Sequence, residues 1–562
     1  MKTSISSWVK SGSPWIWLNA GAVAISVIMV VSLIALIGVR GLAHFWPADV
    51  LQATYSQGGN SRTVIGEIVQ SEQVSAVQLR DAGIEVAAGV DSLERKLLKT
   101  GNRDIGGVDF TWVLDKDLSE RAYPQMLFTA ERYEWGNFYG FLRSFKRGDQ
   151  VIASYNDNAK SADYLALWEL LELSIARASG IRDKIYKIEK DQIGTINHEM
   201  ERLRLEQRRW QLQGIEQGPK IDAIELRRQQ LDLDYKKLED KLITLYGDIN
   251  RDSISAQVSD GQIVQIEVAK LVRVFRANDM DQWQKSLHYL EKIWEFVSED
   301  PREANTEGGI FPAIFGTVMM VILMSIMVTP FGVVAAVYLS EYAKQGFTTR
   351  LIRIAVNNLA GVPSIVYGVF GLGFFVYMLG GSLDQLFYPE ALPSPTFGTG
   401  GLLWASITLA LLTVPVVIVA TEEGLSRIPN ALKEGSLALG ATKAETLFKV
   451  ILPMTSPAMM TGVILAIARA AGEVAPLMLV GVVKLAPTLP LNMNYPYLHL
   501  DQKIMHLGFH IYDVGFQSPN VEAARPLVYA TAFLLILVIA LLNLSAVAIR
   551  NRLREKYKAL EV

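Results

Sequence analysis

The sequence predicts an α-helical integral membrane protein with six transmembrane helices and an inserted mixed α/β domain that contains a helical hairpin. Two observations carry this prediction. Six stretches are apolar and nearly free of charge over the roughly 20 residues that a bilayer-spanning helix needs. Between the first and the second of them, residues 41–305 are charged and polar, with the patterns of strands and helices.

The overall composition already limits the possible functions. Half of the 562 residues are hydrophobic and 20% are charged. The net charge of -3 gives no reason to expect a nucleic-acid partner. Cysteine is absent, which excludes disulfides, thiolate metal sites and cysteine nucleophiles.

The first span is predicted at residues 15–40, after an N-terminal segment at 1–14. Its apolar stretch is too long for the core of a signal peptide and no cleavage site of small residues follows it, so we expect a retained anchor. The other five spans belong to a membrane domain at 306–562. Their apolar stretches are residues 310–340, 354–383, 398–421, 457–483 and 526–549.

The basic residues of the short loops predict the orientation of these spans. The loop after residue 383 has none, whereas the loops and tail on the other side carry Lys344, Arg350, Arg353, Arg427, Lys433, Lys443, Lys449, Arg550, Arg552, Arg554, Lys556 and Lys558. Cytoplasmic loops are enriched in such residues. Both termini are therefore predicted inside the cell, and the inserted domain outside the membrane.

The inserted domain shows a readable order of elements. Residues 63–154 have the short alternating runs of β-structure. Long charged helical patterns follow at 162–213 and 221–249, and the glycine and proline between them predict an antiparallel hairpin. This hairpin is either a rigid solvated arm or a docking arm for an extracytoplasmic binding protein.

Two further elements complete the inserted domain. Ser259-Asp260-Gly261 lies between alternating residues and predicts the turn of a β-hairpin. A last helix, which leads back into the membrane, has four apolar residues on one face: Trp283, Leu287, Leu290 and Trp294.

The loop between the fourth and fifth spans predicts two short helices around a tight turn. Pro429 can start the first helix, and Gly440 can end it in the left-handed conformation. Thr442 and Glu445 form the pattern of a capping box that starts the second helix, and Pro453 is expected to stop it. By these rules alone, the loop is either an ordinary amphipathic connector or a rigid knob.

Two charges fall within the predicted fifth span. Arg469 and Glu473 are four residues apart and therefore share one face of the predicted helix. Because ionisable groups inside a bilayer are costly, they face a partner or a polar path. They form either a structural ion pair or an anion path in which Arg469 attracts the anion and Glu473 limits its affinity.

Two polar residues of the predicted third span are weaker candidates for the same path. Asn357 could line it, although a helix-start or interhelical hydrogen bond explains this residue as well. Ser364, beside a proline, could contribute a path hydroxyl. No metal or catalytic site is predicted.

The loop at 422–456 resembles the EAA motif of ABC-importer permeases, which reads E-A-A-x(3)-G-x(9)-I-x-L-P. Gly435 and Ser436 replace the two alanines, and Val450 replaces the isoleucine. The resemblance implies the fold of a type I ABC importer permease, with a coupling helix that sits in a groove of an ATPase subunit. It assigns to the coupling loop Glu434, Gly435, Ser436, Gly440, Ala441, Leu452 and Pro453.

The later spans are similar to the A subunit of phosphate ABC permeases. The similar segments are 307–310, 337–342, 362–368, 421–422 and 462–477. This resemblance implies a phosphate-conducting subunit of the bacterial inner membrane, in a long form with an extra periplasmic domain. Val419 departs from it, because family members can carry an arginine near this position.

The same resemblance implies partners for the chain. They are a homologous second permease chain (the C subunit), an ATPase dimer and a periplasmic phosphate-binding protein, with membrane lipid around the spans. No Gly-Lys-Ser or Gly-Lys-Thr occurs, so no P-loop is present, and ATP and Mg²⁺ are expected on the ATPase rather than on this chain. The alternatives are a permease for another oxyanion, such as sulfate or molybdate, and a membrane sensor with a periplasmic ligand domain.

Overall fold

The computed structural model describes residues 11–57, 59–81, 83, 89–156, 161–486, 488–518 and 521–557. Residues 1–10 of the predicted N-terminal segment, and Lys558 of the basic tail, lie outside the described residues. The chain forms two compact units. We call Met1–His44, Ile310–Phe387 and Ser394–Val562 the membrane unit, and Phe45–Gly309 with Tyr388–Pro393 the inserted unit.

Within the described residues, six helices of the membrane unit are long and apolar enough to cross a membrane. In chain order they are Ser13–Leu42; Phe311–Val337 with the π-helical turn Tyr338–Tyr342; Ser364–Phe370 continued by Gly371–Gly380 and Gly381–Phe387; Leu402–Ser426; Lys443–Thr446 continued by Leu447–Ile451 and Leu452–Ala470; and Val521–Tyr557. Shorter helices are Phe347–Leu359, Asn430–Ala438, Leu477–Val480 and Leu507–Tyr512.

The fourth span is the central helix of the membrane unit. Its most apolar window is 67% buried, against 6% for the first span and 11% for the sixth. Val417 of this span shares one apolar core with Met320 of the second span and Ala466 of the fifth. A side chain at Gly462 would lie 2.8 Å from the Cβ of Ala420, so glycine allows the fourth and fifth helices to approach closely.

The third span begins later than the sequence predicted. The expected stretch 354–383 is divided, because its first residues belong to the separate helix Phe347–Leu359 and the span itself starts at Ser364. Pro363 causes the division, since a proline restricts the residue before it to extended backbone. Hydrophobicity alone had joined the two segments.

The fifth span ends earlier than predicted. Its helix stops at Ala470, and Glu473 lies in the turn that follows, so the prediction that Arg469 and Glu473 share a helix face is wrong. Gly472 is a poor helix former, and Pro476 disfavours helical backbone in the residue before it.

The prediction that Pro453 stops the second loop helix is also wrong. The helix passes through the π-helical segment Leu447–Ile451 and continues as Leu452–Ala470, with the proline in its first turn. Proline has no N–H and crowds the carbonyl four residues before it. The wider π-helical turn accommodates both effects, so the second loop helix and the fifth span form one continuous helix.

The strands of the inserted unit form antiparallel sheets. They are β1 Val50–Gln57, β2 Asn60–Ser75, β3 Ser92–Lys99, β4 Phe110–Leu114, β5 Leu118–Ala122, β6 Leu127–Arg132, β7 Phe138–Arg147, β8 Gln150–Ser154, β9 Asp252–Gln257, β10 Ile263–Glu267, β11 Leu271–Phe275, β12 Pro301–Arg302 and β13 Glu307–Gly308. One sheet has the order β4-β3-β2-β1-β5 and another β10-β9-β7-β6-β11, with β8 beside β7. β12 pairs with β13, and the predicted hairpin at Ser259-Asp260-Gly261 joins β9 to β10.

The predicted helical hairpin is confirmed. Its outgoing arm is Ser161–Tyr186, Lys187–Ile193 and Gly194–Leu212, and its return arm is Pro219–Ile249. Leu167 and Leu171 of the outgoing arm pack on Phe128 of β6 in the largest core of the unit. A helix that we call the amphipathic helix, Gln282–Ser298, follows β11. The prediction of six spans with an inserted α/β domain is therefore confirmed.

Residues 388–393 group with the inserted unit, although the sequence had assigned them to the membrane domain at 306–562. Arg209 of the hairpin forms an ion pair with Glu390, whose side chain is buried. This contact lies inside the inserted unit and joins two segments that are far apart in the sequence.

Candidate functional sites: the interspan knob and the Arg469 junction

The loop between the fourth and fifth spans folds into two short helices around a tight turn, and we call residues 430–446 the knob. Gly440 ends the first helix with φ +88. The N–H of Gly440 donates to the Leu437 carbonyl at 3.0 Å, and that of Ala441 donates to the Ser436 carbonyl at 3.2 Å. These two bonds define a Schellman motif, which confirms the predicted left-handed turn.

The second helix of the knob begins with the predicted capping box. The N–H of Glu445 donates to Thr442 Oγ1 at 3.2 Å, and the N–H of Thr442 donates to Glu445 Oε2 at 3.0 Å. Both ends of the turn are therefore capped, which fixes the angle between the two helices. Leu452 and Pro453 lie beyond the knob, in the first turn of the span helix.

Polar contacts brace the knob against two spans. Ser436 Oγ and Thr446 Oγ1 share a hydrogen bond of 2.9 Å between the two knob helices. Lys433 Nζ lies 2.6 Å from Glu341 Oε1 at the end of the second span, and both side chains are largely shielded from solvent. The second knob helix continues into the fifth span. The knob therefore contacts the second span and is continuous with the fifth.

The tip of the knob is apolar and exposed. Leu439 is 91% exposed, and Leu432 and Leu437 are exposed as well. Glu434 is also exposed, and Gly435 has open space where a side chain would stand. These leucines are the exposed large apolar side chains of the knob.

Arg469 lies in the last turn of the fifth-span helix, beside the break before the third span. Its Nη1 and Nη2 atoms both lie 3.4 Å from the carbonyl oxygen of Ala360. Its Nε lies 3.8 Å from Glu473 Oε1. These contacts are long, and 31% of the Arg469 side chain is exposed. The guanidinium therefore keeps N–H groups available for an anion.

Two interrupted helices build this junction. Tyr367 donates its hydroxyl proton to the Leu359 carbonyl at 2.6 Å, which spans the break before the third span. A side chain at Gly368 would lie 2.6 Å from Pro476 Cα, so the third span packs closely on the turn after Ala470. Irregular backbone at membrane depth is tolerated where it is buried in protein or lines a polar cavity.

Asn357 and Ser364 stand on either side of the same break. Asn357 is exposed on the helix before the span, and Ser364 is the first residue of the span helix. In the hydrogen bonds and ion pairs of the part of the chain that the structure describes, neither contacts Arg469. The structure thus brings Arg469 and Glu473 together without the other two candidates.

Several contacting groups were missed by sequence reasoning. The Ala360 carbonyl is a backbone group, and the sequence indicates the break that exposes it only through Pro363, three residues later. Glu341 lies in the segment 337–342, which resembles phosphate permeases, but its partner Lys433 is distant in the sequence. Arg353 similarly approaches Glu422 at 3.2 Å. Such pairs depend on tertiary packing.

The chemistry of the junction is that of one guanidinium, one carboxylate and one backbone carbonyl. Among the described residues, no group of three or more His, Asp or Glu side chains could hold a metal ion. The arrangement can attract a multiply charged oxyanion, and the carboxylate opposes tight binding.

Comparisons with known proteins find similarity in the membrane unit. Residues 328–555 match the family of binding-protein-dependent transport system inner membrane components. Phosphate transport system permease protein PstA 1 of Mycobacterium tuberculosis is 34% identical over 245 residues, which are 43% of this chain and 71% of the relative. The PstA protein of Yersinia pestis is 31% identical over 252 residues, or 45% and 75% of the two chains. A solved chain of the MetNI methionine ABC transporter, inward facing, aligns at 19% identity and a TM-score of 0.32 over 43% of this chain and 94% of that chain.

Proposed function

Since this chain belongs to the PstA family of phosphate transport permeases, we propose that it conducts inorganic phosphate into the cell, driven by a separate ATPase that docks on the knob. The observation that carries the proposal is a capped, braced knob that is continuous with the span bearing Arg469. In this arrangement both termini lie in the cytoplasm, and the inserted unit lies in the periplasm.

The knob converts motion of the ATPase into motion of the spans. The exposed leucines of its tip enter a groove of the ATPase, and closure of the ATPase dimer around ATP displaces the knob. The helix Lys443–Ala470 has 28 residues and is therefore about 42 Å long. It joins the knob to Arg469 in one element, while the Lys433–Glu341 pair carries the same displacement to the second span.

Arg469 guides the anion through the junction. Its guanidinium is charged at every relevant pH and matches the oxygens of phosphate in a bidentate manner. The contacts with the Ala360 carbonyl are long, so an arriving phosphate displaces them at little cost. Glu473 keeps the site weak, which permits release.

The proposed assembly contains a homologous second permease chain, two ATPase subunits that bind ATP and Mg²⁺, and a periplasmic phosphate-binding protein. The chain itself then carries no nucleotide and catalyses no reaction. Support for these partners comes from the family membership and from the leucine-tipped knob.

The test is ATP-driven uptake of labelled phosphate by the reconstituted assembly. Loss of a charge-assisted contact corresponds to about 2 kcal/mol, so Arg469→Ala should lower uptake at limiting phosphate by tenfold or more. Arg552→Ala, at an exposed arginine of the last helix, is the matched control and should transport normally. Normal uptake by Arg469→Ala would show that this arginine does not guide the anion. Stronger competition by sulfate or molybdate than by unlabelled phosphate would show that phosphate is not the preferred cargo.

A further inference from the structure

In the amphipathic helix of the inserted unit, Gln282–Ser298, the polar side is buried and the apolar side is exposed. Its charged and polar side is buried, with Lys285 and His288 each 7% exposed and Glu295 4% exposed. Its apolar side faces outward, and we call this side the exposed stripe: Trp283 70%, Leu287 51%, Leu290 62% and Trp294 70% exposed. A helix on the surface of a water-soluble domain has the opposite arrangement.

Ion pairs fix the helix in this orientation. Lys292 Nζ lies 2.9 Å from Glu131 and 3.1 Å from Glu295, and Arg273 approaches Glu295 at 3.4 Å. Lys285 pairs with Asp49. Rotation of the helix to bury its stripe would separate Lys292 from the buried Glu131 of β6, and a buried carboxylate without its partner costs several kcal/mol. The stripe is therefore a fixed feature of the fold.

The amphipathic helix contacts the residues that directly follow the first span in the chain. Phe45 and Trp46 directly follow the first span, and their rings contact Phe296 and Tyr289 of the helix at 4.9 and 5.8 Å between centroids. A short segment after Ser298 leads to the second span, which starts at Phe311. The chain segments at the two ends of residues 45–309 thus both adjoin this one helix.

The composition of the stripe matches an interfacial surface. Its members are spaced by four, three and four residues and extend over about 16 Å of helix. Two leucines are flanked by two tryptophans, and tryptophan is the side chain enriched at the boundary between lipid headgroups and acyl chains. A helix with a strong apolar face and a charged opposite face is typical of segments that lie in that boundary.

We infer that the exposed stripe lies in the headgroup boundary of the bilayer and anchors the amphipathic helix to the lipid. The ion pairs keep the stripe on the outside of the unit, and the chain segments that join this region to the first and second spans bring lipid within reach. This inference does not depend on which solute the chain transports.

The absence of cysteine in the chain makes a direct test possible. A spin label is attached to the cysteine of Leu290→Cys in the full chain. The labelled protein is reconstituted in vesicles of phosphatidylcholine and phosphatidylglycerol. The collision rates of the label with oxygen and with a water-soluble nickel chelate are then measured. Leu173→Cys, on the hairpin and 63% exposed, is the matched control because Leu290 is 62% exposed. We expect the label at 290 to collide more with oxygen and less with nickel than the label at 173.

Two outcomes would overturn the inference. Equal nickel accessibility at the two positions would show that the stripe faces water. Protection of position 290 from both reagents would show that a protein surface, and not lipid, covers it. Leu287→Cys repeats the measurement at a second position of the stripe, so that one poorly folded variant does not decide the result.

Discussion

At the scale of single residues, Glu473 is the carboxylate that faces Arg469. Its carboxylate lies 3.8 Å from the guanidinium, and both side chains are partly exposed. A charge pair in this setting is worth on the order of 1 kcal/mol, or about fivefold in affinity. We expect Glu473→Gln to lower the phosphate concentration for half-maximal uptake and also to lower the maximal rate, because a more tightly held anion leaves more slowly.

The measurement is the dependence of uptake rate on phosphate concentration. Glu423→Gln is the matched control, since Glu423 also pairs with an arginine four residues away, Arg427, at 3.9 Å on an exposed surface. If both variants keep the kinetics of the unmodified protein, Glu473 has no part in the path.

Glu307 is a carboxyl of the inserted unit whose pKa lies within the physiological pH range. Burial raises its pKa from 4.5 to about 7, and Glu303 adds to the rise while Lys99 opposes it. A carboxyl with a raised pKa in the folded state favours folding at low pH. Its contribution is complete below pH 4.5 and is lost as the pH rises through 7.

We therefore expect the inserted unit to lose on the order of 2 kcal/mol of stability between pH 5 and pH 8 through this group. Hydrogen exchange of the full chain in nanodiscs measures the loss, and Glu307→Gln should flatten the pH dependence. Glu216→Gln, at an exposed position between the hairpin arms, serves as control. An unchanged pH profile in Glu307→Gln would contradict the assignment.

At the scale of elements, the turn of the knob depends on one glycine. Gly440 has φ +88, a conformation that costs other residues about 1–2 kcal/mol and β-branched residues more. Gly440→Val should open the Schellman turn, so that co-purification with the ATPase and ATP-driven uptake both fall. Gly435→Ala is the matched control, because Gly435 is helical and has open space around it. Full uptake by Gly440→Val would show that coupling to the ATPase does not depend on the shape of the knob.

The knob was predictable from the sequence because its signals are local. A glycine after the first helix and a threonine three residues before a glutamate each specify one hydrogen-bonding pattern, and both patterns are present. The β-hairpin at Ser259-Asp260-Gly261 and the long helical hairpin followed from local signals in the same way. In these elements the residues that decide the structure are close in sequence.

The interruptions of the spans were not predictable in this way. Residues 354–363 and 471–483 are apolar whether or not they are helical, so hydrophobicity extended the third and fifth spans through their breaks. Pro453 looked like a stop, but the π-helical turn before it lets the helix continue. The Arg469 junction arises from two of these breaks, and its contact with the Ala360 carbonyl exists only in the tertiary structure.

At the scale of the whole molecule, two units with separate cores share one chain. Residues 45 and 309, the two ends of the main segment of the inserted unit, both lie next to the C-terminal end of the amphipathic helix. The Phe45 ring contacts Phe296, and Gly309 packs against the Glu299 backbone. Both ends of the inserted unit are thus held at the same half of one helix. Insertions whose ends are close together disturb the host fold least. The family match at 328–555 lies outside residues 45–309.

This closeness predicts that residues 46–308 of the inserted unit can be excised while residues 388–393 stay in the chain. Replacement of residues 46–308 by a short glycine and serine linker should leave a membrane unit that inserts into the bilayer and co-purifies with the ATPase, because the knob, the Arg469 junction and the core around the fourth span remain. Membrane fractionation and co-purification measure this, and the full chain is the reference. The same deletion that also carries Gly440→Val should insert without binding the ATPase. If the excised chain inserts but fails to bind the ATPase, the inserted unit stabilises the membrane unit, and the two units are not energetically independent.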